Sequence, residues 1–196
     1  MIQLAAMPVS DTYNSLSTGG FLNPETIINE FGLSPGMSVA DFGSGAGYFT
    51  ILVGERVGKE GRVYALDIME SALDSVREKA RAAGLENIEA IRTDLEVIGS
   101  SGLADQSQDI VLLANILFQS GKKIEIIREA KRVLKDGGLL IIIDWKKGAG
   151  GFGPPDSLRT DDMAMRSLAV GEELVFERSF NAGQFHFGMA LKKIVS

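Results

Sequence analysis

The chain has 196 residues, a formal net charge of −6 and no cysteine. That length suits one α/β domain, and the missing cysteines exclude disulfides, thiolate metal sites, cysteine-ligated iron–sulfur clusters and thiol catalysis. The acidic balance argues against broad nucleic-acid binding, which needs lysines and arginines to displace counterions, and the longest aliphatic run, Leu139 to Ile143, is far short of the roughly 20 residues of a membrane span.

In chain order, residues 1–22 read as an irregular arm, polar and turn-rich ("SDTYNSLSTGG"), and 23–196 as the domain. The opening "MIQLAAMPVS" lacks the basic start of a signal peptide, so the expected setting is the cytoplasm. A helix is expected at "NPETIINEFGL", with Asn23 as cap and Pro24 at its first position. Then patterns alternate: strand "SVADF", helix 46–57, strand "GRVYALDI", helix 70–83, strand "NIEAIRTD", strand "SQDIVLLAN", helix 121–135 closed by Gly137 and Gly138, and strand "LLIIID". This last run is apolar throughout and must be covered on both faces. Alternation of this kind predicts a parallel sheet built by right-handed crossovers, an α/β/α sandwich of Rossmann-like type. After the glycine-rich segment 148–155, readable as a lid or a plain linker, come a helix near 159–170 and two strands. These, "ELVFERSF" and "QFHFGMALKKI", are joined around Asn181-Ala182-Gly183, so the last strand is expected to run antiparallel.

In such sheets ligands sit beyond the carboxyl ends of the strands. There the first strand opens into Gly43-Ser44-Gly45-Ala46-Gly47, preceded by Asp41. A dinucleotide fingerprint would need glycine at 48, where Tyr48 stands, and no G-K-[ST] marks a P-loop. An acid directly before the glycines repels a pyrophosphate and suits a cation or an amino group. Asp67 ends the second strand, where a carboxylate can accept ribose hydroxyls. Asp94 ends the third, where one can accept an adenine amine. Each acid alone could be a turn residue; three in phase with the glycine loop point to S-adenosylmethionine.

With "VADFGSGAGYFT", "VYALDIME", "RTDLE", "DIVLLANILF" and "EAKRVLKDGGLLIIIDW" in place, the chain resembles class I S-adenosylmethionine-dependent methyltransferases. It is most similar to the small type 11 domains grouped with ubiquinone and menaquinone biosynthesis. The resemblance implies a seven-stranded, mostly parallel sheet whose last, antiparallel strand lies between the fifth and sixth. It implies that Gly43, Ser44, Gly45, Ala46 and Gly47 line the methionyl group, with Asp41 orienting the loop and facing the ammonium. Asp67 would hold the ribose, Ile68 and Met69 would pack on adenine, and Asp94 and the Leu95 amide would meet its edge. Asn115 would lie under the methionyl group.

Methyl transfer needs mainly position and a desolvated pocket, with a base only if the acceptor must lose a proton. His186, the sole histidine, falls near the start of the last strand and is the candidate base, the alternative being a structural histidine. Candidate acceptor contacts are Phe118 after the fourth strand, Asp144 and Trp145 after the fifth, and Tyr13 in the arm. Lys146 and Lys147 read as a solvated pair or as contacts to an acidic substrate, and Met163 and Met165 as core or as acceptor wall. No metal is expected, because Asn115 and Asp144-Trp145 do not supply the acids of a catechol-type site. Arsenite methyltransferases, which depend on cysteines, are a poor match. The expected function is methyl transfer to a small-molecule acceptor, leaving S-adenosylhomocysteine. The alternatives are a protein or peptide methyltransferase and a non-catalytic binding module.

Overall fold

The alternating pattern folds as the crossover argument requires. In a computed structural model, which describes residues 22–195, strands β1 (Ser38–Phe42), β2 (Arg62–Asp67), β3 (Ile88–Arg92), β4 (Gln108–Ala114), β5 (Leu134–Trp145), β6 (Leu174–Asn181) and β7 (His186–Lys193) form one sheet. Its seven strands lie in the order β3-β2-β1-β4-β5-β7-β6. The first five are parallel, and β7 pairs antiparallel with both β5 and β6. The helices are α1 (Pro24–Ile27), α2 (Tyr48–Val57), α3 (Glu70–Ala82), α4 (Lys123–Val133) and α5 (Asp162–Gly171). Tyr13 and the rest of the expected arm up to residue 21 lie outside the described residues. Among the described residues no helix is long and apolar enough to cross a membrane.

Strand alternation sorts the core onto two faces. Ile141, Ile143 and Ala190 pack with α1, the 3-10 turn Ile28–Phe31 that follows it, and α2, through Ile27, Phe31, Phe49 and Val53. Leu140, Ile142, Met189 and Leu191 pack with α4 and α5 through Ile126, Ala130, Met165 and Ala169. The fifth strand is therefore covered on both sides, as its unbroken apolar run demanded. Asn23 caps α1 by accepting from the N–H groups of Glu25 and Thr26.

Boundaries shift from the sequence reading at two helix ends marked by glycines. The second helix starts at Tyr48 because Gly47, at φ +80°, turns the chain left-handed; Ala46 and Gly47 belong to the loop. The fourth helix stops at Val133, not at the glycines, because Leu134 is already extended and pairs with Gln108. The register then shifts through a bulge containing Gly137, at φ +78°, before pairing resumes at Ile110 with Leu139.

A buried carboxylate locks α4 to the segment after β3. Glu129 is fully buried and accepts from the Gly99 N–H at 2.7 Å, the Ser101 hydroxyl at 2.5 Å and the Arg132 guanidinium at 2.8 Å. Arg132 and these hydrogen bonds outweigh desolvation and hold its pKa down to about 2. A carboxyl depressed in the folded state stabilises fully above its unfolded pKa, and that contribution is lost as pH falls from about 4.5 toward 2. Glu129→Gln should cost about 3 kcal/mol near neutrality, since it leaves Arg132 without its buried partner. It should also flatten the acid limb of stability, read by urea unfolding from pH 7 to 3.

Candidate functional site

Parallel strands send the loops after β1, β2, β3, β4 and β5 to one edge, and the site is built there. The glycine loop bends toward β2: the N–H groups of Gly43 and Ser44 both donate to Leu66 O, at 2.7 and 3.0 Å. Gly43, Gly45 and Gly47 all have positive φ. A side chain at Gly43 would strike Ile116, 2.6 Å away, whereas the space above Gly45 is open. The loop thus packs closely on β4's exit and leaves room for a ligand at its centre.

Asp67 fixes that loop. One carboxylate oxygen accepts the Gly45 N–H at 2.9 Å and the other the Met69 N–H at 2.9 Å. An ionised carboxylate offers about four acceptor positions, so half of Asp67's capacity is left for a ligand. From the other side Lys79 of α3 donates to Ala46 O at 2.6 Å and lies 4.0 Å from the Tyr48 ring centre. Sequence reasoning missed Lys79, whose only signal is its place on the inward side of α3.

Asp41 is buried and accepts from the Thr50 hydroxyl at 2.6 Å. Burial, opposed by that hydrogen bond, raises its pKa to about 6, with Asp67's charge adding to the rise. Thr50 was not anticipated, though it stands one helical turn into α2, facing the strand end. Ile68 and Met69 are largely exposed at the tip of β2, free to cover a flat group. Asp94 is exposed and accepts the Glu96 N–H at 3.0 Å, while the Leu95 side chain enters the core.

Asn115 takes a left-handed conformation, φ +57°, and its N–H donates to Ile143 O at 2.9 Å. Its side-chain oxygen and the Ser44 hydroxyl are buried with no hydrogen-bond partner among the described residues. Buried polar atoms are rarely left so. Ser44 lies in the glycine loop after β1 and Asn115 at the exit of β4, so both polar groups stand at the same edge of the sheet.

Beyond β4 the edge changes character. Asp144 is fully buried; its oxygens accept the N–H groups of Phe118 at 2.9 Å and Trp145 at 2.7 Å. Burial still raises its pKa to about 6. The carboxylate binds backbone and sets the path of the loop carrying half-buried Phe118. Trp145 faces His186, with ring centres 4.1 Å apart. Arg159 anchors the glycine-rich segment by donating to the carbonyls of Phe152, Pro154 and Lys146, so this stretch is pinned, which neither the lid nor the linker reading anticipated. A side chain on Gly153 would strike the Trp145 ring. Met165 is core and Met163 is exposed.

His186 is 3% exposed, and among the described residues neither ring nitrogen has a hydrogen-bond partner. Burial, with the charges of Arg159 and Lys146, lowers its pKa to about 4. A histidine depressed in this way stays neutral in the fold while the unfolded chain takes up a proton near 6.5, so its contribution to stability falls as pH drops from 6.5 to 4. As the sole histidine, its imidazole should give one NMR titration, with a midpoint near 4. The stability of the wild type relative to His186→Asn should decline across the same window in urea unfolding.

A family model described as a methyltransferase domain matches residues 33–174. An arsenite methyltransferase of Halobacterium salinarum is 29% identical over 143 residues, 73% of this chain and 35% of that protein. A ubiquinone/menaquinone biosynthesis C-methyltransferase of Shewanella sediminis is 35% identical over 121 residues, 61% of this chain and 47% of that protein. This chain therefore spans less than half the length of both. A SAM-dependent methyltransferase of Aquifex aeolicus, solved by crystallography, is 30% identical with a TM-score of 0.81, covering 89% of this chain and 91% of that one.

Proposed function

Since the chain belongs to the class I S-adenosylmethionine-dependent methyltransferases, we propose that it methylates a small-molecule acceptor by in-line displacement, leaving S-adenosylhomocysteine. The observation that carries this reading is a pair of buried atoms without partners among the described residues, Ser44 Oγ in the open glycine loop and Asn115 Oδ1 at the end of β4. When bound, S-adenosylmethionine supplies a methyl carbon activated by its sulfonium. Every other task falls to side chains of this chain.

Gly43 to Gly47 and the Asn115 amide line the methionyl group, and Asp41 sets the charge beneath it: a buried carboxylate favours an ammonium. Asp67 uses its remaining lone pairs on the ribose, Ile68 and Met69 cover the adenine, and Asp94 and the Leu95 N–H meet its edge. On the acceptor side Phe118 and Trp145 contribute apolar surface beyond the ends of β4 and β5. Asp144 acts at one remove, by positioning the backbone of both. Neutral His186 accepts the hydrogen of an acceptor O–H or N–H as that atom becomes nucleophilic. Arsenite is not carried over as an acceptor, because none of the 196 residues is a cysteine.

Calorimetry should show saturable binding of both S-adenosylmethionine and S-adenosylhomocysteine; no heat with either overturns the reading. Asp67→Ala should weaken both about tenfold or more, the scale of losing charge-assisted hydrogen bonds. A by-product assay against separate metabolite and protein pools then distinguishes the acceptor classes, with turnover expected in the metabolite pool. Once the acceptor is found, His186→Asn should retain cofactor binding while turnover falls about 100-fold or more.

A further inference from the structure

Resting on the methyltransferase reading, we infer that the cavity between α5 and the β6–β7 hairpin seats the acceptor, and that the acceptor is a small organic anion: an acidic oxygen group such as a carboxylate on a compact apolar body. The cavity measures about 240 Å³, roughly eight waters' share of liquid volume. It reaches the functional edge of the sheet, since Lys146 follows β5, Asn181 ends β6 and His186 opens β7, and all three border it. Phe187 and Met189 supply apolar wall from β7.

Two cations line this cavity on an otherwise acidic protein. The protein carries a net −6, yet Lys146 and Arg166 both line the cavity. Among the described residues neither enters a salt bridge. Arg166 is held over the Phe176 ring at 3.7 Å, which orders the guanidinium without neutralising it. The one acid present, Asp162, lies in the first turn of α5 and accepts the Met163 N–H at 2.9 Å. The positive end of the helix offsets it, so the two cations are left for a ligand. His186, 3% exposed with both nitrogens unpartnered, borders the same space. A ligand reaching it relieves the cost of an unpaired buried ring. A cationic acceptor would meet Lys146 and Arg166 unfavourably, and a neutral one would leave both unused.

The test uses benzoate as probe and benzyl alcohol as its neutral counterpart, titrated into the full chain saturated with S-adenosylhomocysteine. Heat is read by calorimetry and the single His186 resonance by NMR. Benzoate should bind saturably, shift His186 and exceed benzyl alcohol in affinity about tenfold, the scale of charge-assisted contacts. Arg166→Gln and Lys146→Gln should each weaken benzoate about fivefold or more while leaving S-adenosylhomocysteine affinity within about twofold. Equal binding of the two probes, no His186 response, or competition between benzoate and S-adenosylhomocysteine would each overturn the inference while leaving the methyltransferase reading intact. If S-adenosylhomocysteine itself fails to bind, that reading fails first and the acceptor assignment falls with it.

Discussion

The carboxylate of Asp67 is the constraint on which the ligand half of the sheet edge depends. By accepting the N–H groups of Gly45 and Met69 together, it ties the loop after β1 to the loop after β2. Three glycines of positive φ in one short loop would otherwise be costly to order, because glycine loses the most backbone freedom on folding. Lys79 adds a second tether through Ala46 O. The loop is therefore held on both flanks while the space above Gly45 stays open. Its order comes from outside the loop, and that leaves its own polar atoms for a ligand.

The other constraint is the burial of ionisable groups at the same edge. Asp41 and Asp144 are raised to about 6 and His186 is lowered to about 4, in each case chiefly because the protein withdraws the group from water. They differ in what compensates. Asp144 has backbone N–H partners for both oxygens and acts as a clamp. Asp41 has the Thr50 hydroxyl. His186 has the Trp145 ring but, among the described residues, no hydrogen-bond partner. This gradient of satisfaction, from clamp to unpaired ring, separates groups that hold the frame from those left to meet something else.

The glycine loop and the strand ends were legible because they rest on local rules. Spacing of Gly43, Gly45 and Gly47, the acids in phase, and the unbroken run from Leu139 to Ile143 each carry their meaning within a few residues. What was not legible depends on partners far away in the chain. Nothing near Lys79 announces that it reaches Ala46, and nothing near Arg159 announces the carbonyls it gathers. Gly137 and Gly138 looked like a helix stop, but pairing with Gln108 had already drawn Leu134 into the strand. Asp144 looked like a substrate contact because a strand end in this fold faces the site. The structure gives it backbone partners as well, the Trp145 N–H beside it and the Phe118 N–H brought round by the turn after β4.

The strand order then divides labour along the edge. β1, β2 and β3 lie on one side of β4, and β5, β7 and β6 on the other. The tethered glycine loop and Asp67 belong to the first side; Trp145, His186 and the cation-lined cavity belong to the second. Asn115, at the end of β4, is the junction, and its unpartnered oxygen is where the two halves meet. Adjacent strands are about 4.8 Å apart, so His186 on β7 lies about 10 Å from the line of β4. The end of β5 fills that interval, so Asp144 and Trp145 stand between the junction and the histidine. Inserting β7 between β5 and β6 sets this distance: it brings the hairpin turn, and with it the only histidine, back to the edge where the parallel strands end.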